Sequence, residues 1–379
     1  MSEHDDTLGD AIERLEWNDE KSGDVSKFAQ ISRRTALTGG AAGLAAALLE
    51  ACGSSNNSGT GTAKASSGSS PVASIFGVKG GYKFTFVNHV TTNTFFTPTI
   101  AGIKDACKLL NCSYQWTGST SSNVGQMASA IDTAVSAGVD GIATSLIATS
   151  LAKPVDAATK AGIPVVSYNA DEPNTTRLAY IGQDLLLSGQ QMGEKIKSLI
   201  PGGGKVMVFI ATPGSANLAP RLTGIQQVLK GSNIQVSSQA SGAAEPQEVT
   251  TIEAFVGKNL TSYKGYFAVD AGSTAAVALA LKKYNLKGKV VGGGFDLTPD
   301  TEALLYNGTI QFAIDQQPYL QGFFPTLELF LYKATQGLTG AADIDTGLKF
   351  LDKTTIKPYA TTKSRYEGTG TAIGVQKAS

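Results

Sequence analysis

Residues 139–168 read VDGIATSLIATSLAKPVDAATKAGIPVVSY. Val139–Thr144 is an apolar run of strand length, and Leu151–Ala161 has helical spacing. Gly162 stands where a helix end favours glycine, and Ile163–Tyr168 is a second apolar run. Neither run alternates apolar with polar residues, which is the pattern of parallel strands buried on both faces. Parallel neighbours need a crossover, and the helix between them supplies it. This strand–helix–strand unit makes the chain an α/β protein.

The same rhythm extends in both directions. Upstream, Tyr82–Val90 (YKFTFVNHV) and Ser113–Trp116 read as strands. Thr99–Leu110 and Val124–Ala137 read as helices, the latter stopped by Gly138. Downstream, Leu185–Leu199 is helical and Lys205–Ala211 (KVMVFIA) a strand. Leu218–Leu229, Val249–Lys258 and Thr274–Tyr284 then alternate as helices with strands at Ile234–Gln239, Gly265–Val269 and Val290–Gly294. The pattern predicts two α/β lobes of similar, Rossmann-like build, each a parallel sheet flanked by helices. In such sheets ligands sit beyond the carboxyl ends of the strands, so polar residues just after strands are the candidates for a site.

The N-terminal region differs. Residues 1–30 are polar, and residues 1–51 hold ten acidic against five basic side chains. The motif Ser32-Arg33-Arg34-Thr35-Ala36-Leu37 opens an Ala/Gly-rich stretch that runs to Leu49 and ends at Leu49-Glu50-Ala51-Cys52. At about 1.5 Å per residue this stretch is too short for a bilayer core of roughly 30 Å, and it fits the apolar region of a signal peptide. The arginine pair resembles a twin-arginine export signal. Leu49–Cys52 resembles a lipoprotein box, in which Cys52 is lipidated, although Glu50 stands where such boxes carry a small residue. Gly53–Ser70 is almost entirely Gly, Ser, Asn, Thr and Ala, a flexible tether. The expected layout is a signal peptide over 1–52 and a tether over 53–79.

Composition narrows the function. The whole chain of 379 residues has no net charge, which gives no reason to expect a nucleic acid partner. Two histidines and three cysteines provide no cluster with metal-ligand spacing, and neither a nucleophile elbow nor a phosphate-binding loop is present. No cofactor or metal is expected, and the chain does not read as an enzyme.

The strand ends carry the informative residues. Thr92-Asn93-Thr94-Phe95-Phe96 follows the first strand and Asn169-Ala170-Asp171 the fourth. Pro213-Gly214-Ser215-Ala216-Asn217 and then Arg221 follow Lys205–Ala211. Asp270 ends Gly265–Val269, Phe295-Asp296-Leu297-Thr298-Pro299-Asp300 follows Val290–Gly294, and Gln316-Gln317-Pro318-Tyr319 follows Thr309–Asp315. The order of these stations over Tyr82–Gly368 resembles the ribose-binding branch of type I periplasmic sugar-binding proteins, the substrate-binding components of ABC transporters for simple sugars. Phe95-Phe96, Gly294–Asp300 and Gln316-Gln317-Pro318 carry it most specifically. The tail Thr362–Gly368 is also similar to simple-sugar receptors.

That resemblance implies two lobes joined by three crossings, placed near Gln183, Gln316 and Thr346. Lobe one would hold 80–183 and 317–345, and lobe two 184–316 and 346–379. It implies ligand contacts at Asn93, Phe95, Phe96, Asn169, Arg221, Asp270, Asp296 and Gln316. It further implies a monomer that closes on a sugar or polyol by a hinge and delivers it to a permease with its ATPase, anchored at the membrane through its lipid. Asn217, Trp116 and Tyr168 are weaker candidates. Two departures, Asn169-Ala170 for an Asp-Arg pair and Asp270 for an asparagine, argue against simple ribose.

These residue types suit a sugar. Carboxylates accept from two hydroxyls, Arg donates in a fixed fork, and aromatic faces meet C–H bonds. Each candidate also has a plainer reading. Asp270 and Asp296 are placed to cap helices, Asn93 to make a turn, and His89 to serve the interior of the first strand. Cys107 and Cys112 are close enough in sequence for a local disulfide in an exported protein. A lactose-type repressor shares the expected fold, but its DNA-binding helices would occupy the place of the acidic segment and the arginine pair. A carbohydrate-modifying enzyme using Asp270 and Asp296 lacks further visible machinery. A furanose-like signalling molecule is the remaining alternative ligand.

Overall fold

The computed structural model describes residues 71–366 and 375–377. The paired arginines, the Ala/Gly stretch, Cys52 and the tether up to residue 70 lie outside the described residues.

The chain forms α1 (Pro71–Ile75), β1 (Lys83–Asn88), α2 (Thr97–Leu110), β2 (Ser113–Gly118), α3 (Val124–Ser136), β3 (Gly141–Thr144), α4 (Ala152–Lys160), β4 (Val165–Tyr168) and β5 (Tyr180–Gly182). A second series follows with α5 (Leu185–Leu199), β6 (Gly204–Ile210), α6 (Ala219–Leu229), β7 (Ile234–Ala240), α7 (Glu245–Asn259), β8 (Gly265–Ala268), α8 (Ala271–Lys283), β9 (Val291–Phe295), α9 (Pro299–Tyr306) and β10 (Phe312–Asp315). α10 (Leu320–Ala334), β11 (Ile344–Asp345) and β12 (Lys349–Leu351) complete the lobes.

The strands form two six-stranded sheets of the same order, β2-β1-β3-β4-β5-β11 and β7-β6-β8-β9-β10-β12. In each, the order reverses direction between the first and third strand of its series. Such a switch point opens a crevice at the carboxyl edge. The two sheets are therefore parallel, with one correction: β12 pairs antiparallel with β10. β11 runs parallel to β5 and so heads toward the carboxyl edge of its sheet. A chain stepping straight from there into the second sheet enters at that sheet's carboxyl edge and must run backwards.

Side-chain alternation explains why both sheets are covered on both faces. Phe84 and Phe86 of β1 join the core under α2 and α10, whereas Val87 joins Met127, Ile131 and Val155 under α3 and α4. In the second sheet Met207 and Phe209 face one core, and Val206, Val208 and Ile210 face the other. Complete burial of each such side chain contributes about 1.5–3 kcal/mol. Gly138 and Gly162 take the left-handed conformation after α3 and α4, as their positions predict.

Two expectations are corrected. Residues 71–79 are not tether throughout: α1 is helical, Ala73 is fully buried in the β1 core, and the Phe76 ring lies edge-on to Phe330 at 5.7 Å. These apolar residues end the Ser/Gly-rich composition and pack. The disulfide is not formed either, since Cys107 and Cys112 are both free. The left-handed Asn111 turns the chain so that the Cys112 N–H donates to the Cys107 carbonyl. The two thiols meet as hydrogen-bonding partners. That contact first, and burial second, pushes the Cys112 pKa up and holds the thiol protonated.

Candidate functional site: a cleft between two sheets

The carboxyl ends of the two sheets converge on one cavity of about 190 Å³. Pockets for drug-sized ligands measure roughly 300–1,000 Å³, so this smaller space suits a single small ring. All eight principal candidates line it, and so does Asn217.

The first sheet supplies Asn93, Phe95, Phe96 and Asn169. Asn93 Oδ1 accepts from the Phe95 N–H at 2.9 Å and caps a short 3-10 turn, which leaves the Asn93 amide nitrogen free to donate. That turn seats Phe95 and Phe96 edge-to-face with centroids 4.8 Å apart. Asn169 follows β4 directly with φ 64, a left-handed conformation that Asn tolerates better than most residues. Its amide nitrogen donates to Gln316 Oε1 at 3.3 Å and to Gln321 Oε1 at 3.2 Å.

The second sheet supplies the charges. The Arg221 guanidinium lies 4.0 Å over the Phe295 ring. Its Nη1 donates to the Val269 carbonyl at 3.0 Å and its Nη2 to Gln183 Oε1 at 3.3 Å, while Nε has no partner in the protein. Asp296 is buried at φ 72, and its Oδ1 accepts from Gln316 Nε2 at 2.7 Å. Burial raises its pKa to about 7, against the opposing pull of Arg221 and the Gln316 hydrogen bond. Burial likewise lowers the Arg221 pKa, with Asp296 opposing. Asp270 accepts from the Ala211 N–H at 3.0 Å and the Ser273 N–H at 2.9 Å, so it caps α8 while lining the cavity. Asp296 caps nothing; Thr298 caps α9.

Trp116 and Tyr168 do not line the cavity. Tyr168 is fully buried, accepts from Asn88 Nδ2 at 2.9 Å and packs 5.9 Å from Phe86. Trp116 donates to the Thr91 carbonyl at 3.3 Å and stands 5.9 Å from Phe96. Both point into the interior layer that supports the phenylalanine pair, because side chains alternate along their strands.

Among the lining residues that sequence reasoning missed, two are buried and titratable. His89 was read as structural, yet it lines the cavity. Its Nδ1 meets Ser145 Oγ at 2.9 Å and its Nε2 meets Asn217 Nδ2 at 3.4 Å across the cleft. Burial lowers its pKa to about 4, so at neutral pH the imidazole is uncharged and Nε2 can accept from Asn217. Glu248, on α7, also lines the cavity. Its signal was the polar segment after β7, of which residues 243–246 and 248 line the cavity as other strand tips do.

The crossings meet in one hydrogen-bonded knot. Thr346 Oγ1 donates to the Gln316 carbonyl at 2.8 Å, and Gln183 Nε2 donates to the Gly347 carbonyl at 3.1 Å. Gln321 Nε2 bonds both Gln316 Oε1 and Thr346 Oγ1.

Two like-ordered parallel sheets, three chain crossings and a polar cleft at the facing carboxyl edges define a type I periplasmic binding protein. The chain belongs to the periplasmic binding protein domain family, whose model matches residues 84–327. It is 44% identical over 373 residues to the xylose/arabinose-binding protein XylF of Sulfolobus acidocaldarius, covering 92% of each chain. It is 28% identical over 168 residues to the ribose import binding protein RbsB of Escherichia coli, covering 43% of this chain and 55% of that one. Among solved structures, an ABC transporter solute-binding protein from Burkholderia graminis in complex with D-arabinose aligns with TM-score 0.69 at 27% identity, over 74% of this chain and 98% of that one. A carbohydrate transporter protein from Acidothermus cellulolyticus in complex with myo-inositol aligns with TM-score 0.67 at 28% identity, over 77% and 100%.

Proposed function

We propose that this chain is the extracytoplasmic substrate-binding component of an ABC transporter and captures a monosaccharide or related polyol, a pentose first among them. The observation that carries this reading is the convergence of Asn93, Phe95, Phe96 and Asn169 from one sheet with Arg221, Asp270 and Asp296 from the other on a single cavity. A sugar ring offers hydroxyls at its edge to the charged and amide groups and C–H faces to the phenylalanines. The likeness to a xylose/arabinose-binding protein over nearly the whole chain supports the pentose class. Release to a permease follows from opening of the lobes about the three crossings, a motion established for periplasmic binding proteins. Export through the arginine-pair signal, lipidation at Cys52, lobe limits at 183–184, 316–317 and 345–346, and action as a monomer belong to the same proposal.

Calorimetry with D-xylose, L-arabinose, D-ribose and myo-inositol tests it. At least one is expected to bind with one-to-one stoichiometry. Asp296→Asn keeps the left-handed backbone and the side-chain size, and removes a buried acceptor whose hydrogen bonds contribute about 1.5–3 kcal/mol. Affinity should therefore fall by about 10- to 100-fold. A variant that binds as tightly as the parent removes Asp296 from the site, and failure of every sugar to bind overturns the function.

A further inference from the structure

Glu248 stands in the first turn of α7, is 4% exposed and lines the cleft. Its seat is built. Ser273 Oγ donates to Glu248 Oε2 at 2.8 Å, and Ser241 Oγ lies 2.7 Å from Ser273 Oγ. A Cβ on Gly272 would fall 2.5 Å from Glu248 Oε2 and 2.7 Å from Oε1, so the carboxyl keeps its place only beside a glycine. On its other side Glu248 hydrogen-bonds Asp270.

Two buried carboxyls in contact are costly to ionise together, so at neutral pH the pair keeps one proton. Asp270 accepts from two backbone N–H groups at the first turn of α8, which favours charge there. The proton belongs to Glu248, whose pKa is pushed up first by burial and then by Asp270. Glu245 on the same helix adds to that repulsion, while Arg221, Asp296 and His89 line the rest of the cavity. Independent features of the cavity call for a ligand. Arg221 Nε and Asn217 Oδ1 are both buried without a partner in the protein.

We infer that Glu248 is a specificity-determining ligand contact, and that with Asp270 it forms a one-proton pair that reads an uncharged hydroxyl of the bound sugar. On binding, Glu248 turns its one proton from Asp270 to that hydroxyl oxygen, and the hydroxyl's own proton takes its place on a carboxylate oxygen of Asp270. An acidic group at the same ligand position meets Asp270 and is rejected. Loss of the shared proton at alkaline pH puts two negative charges in contact and removes the donor, so affinity falls as pH rises. This inference rests on the proposed sugar-binding function.

The test is calorimetry with D-xylose and L-arabinose between pH 7 and pH 10, on the full chain and on Glu248→Gln, Glu248→Ala and Gly272→Ala. For the parent, Kd should rise by about tenfold or more over that range. Glu248→Gln has no proton to lose, so its Kd should not follow that rise. Glu248→Ala and Gly272→Ala should each weaken binding at pH 7 by about tenfold or more. Ligand-free melting curves at pH 7 check that each variant is folded. A Glu248→Ala protein that is folded and binds both sugars like the parent overturns the inference, as does a Glu248→Gln protein that retains the full alkaline loss. A parent that binds neither sugar at any pH overturns the sugar-binding function instead and takes this contact with it.

Discussion

At the scale of single residues, Asp270 and Asp296 carry the same sequence reading but do different work. Each ends a strand and precedes a helix, so each was a candidate for capping and for ligand contact. Asp270 is committed to backbone, bonding Ala211 and Ser273, whereas Asp296 bonds the Gln316 side chain. Asp270→Ala should thus cost the fold about 1–2 kcal/mol from the lost cap, plus about 1–3 kcal/mol from the orphaned Ala211 N–H. Denaturant unfolding checks this, and a loss under 1 kcal/mol contradicts the assignment. Asp296 should show itself in pH dependence. Its pKa is raised to about 7 in the fold, above its unfolded value, so the native state holds the extra proton between roughly pH 4 and pH 7. Stability from this group is fully present below pH 4 and is lost as pH rises through 7. Melting temperatures measured from pH 4 to pH 8 should decline less steeply in Asp296→Asn than in the parent. Which aspartate caps was not legible, because capping depends on whether the helix begins one residue or three residues beyond the strand. That offset is set by Leu297 and Thr298 in the structure and by no periodicity in the sequence. His89 was misread for a related reason, since it stands just past the end of β1, and a residue there faces core or cleft according to where the strand stops.

At the scale of elements, the long β/α repeats were legible and the shortest pieces were not. Apolar runs such as Val139–Thr144 and Lys205–Ala211 declare themselves because both faces are buried. β5, β11 and β12 have two or three residues each, too few for a period, and exist because the crossings deliver them to sheet edges. Helix contact was equally hidden. α5 and α6 approach so closely that a Cβ on Gly189 would lie 2.1 Å from the Arg221 carbonyl oxygen, and one on Gly224 would lie 2.4 Å from the Leu186 carbonyl oxygen. These contacts are backbone against backbone, so neither helix can yield by a side-chain rotation. Gly189→Ala should push α6 outward and carry Arg221 off the Phe295 ring. Overpacking of this kind costs about 1–3 kcal/mol. The distinguishing result is a loss of ligand affinity larger than that of Gly125→Ala, where a Cβ meets its nearest neighbour at 3.3 Å. Equal affinities in the two variants would show that α6 does not position Arg221.

At the scale of the whole molecule, the two lobes of the described residues meet across the cleft, and hydrogen bonds join them there. The Ala216 N–H donates to the Ile147 carbonyl at 2.8 Å, and Asn217 reaches His89 at 3.4 Å. Behind them, Arg221 Nε and Asn217 Oδ1 have no partner in the protein. Hydrogen-bonding groups sealed without partners cost about 1–3 kcal/mol each, more than the net 0.5–1.5 kcal/mol that an ordinary hydrogen bond returns. Closing on a sugar reverses that balance, because its hydroxyls meet groups from both lobes at once and add affinity that the open form lacks. The ligand-free protein should therefore populate an open form, with the knot at Gln183, Gln316 and Thr346 as the pivot. X-ray scattering should show a smaller radius of gyration after saturation with the cognate sugar. An unchanged radius, with binding proven by calorimetry on the same sample, would mean that the closed form already dominates without ligand. The lobe contacts would then outweigh the unpaired groups, and the sugar would enter without the lobes opening to a measurable extent.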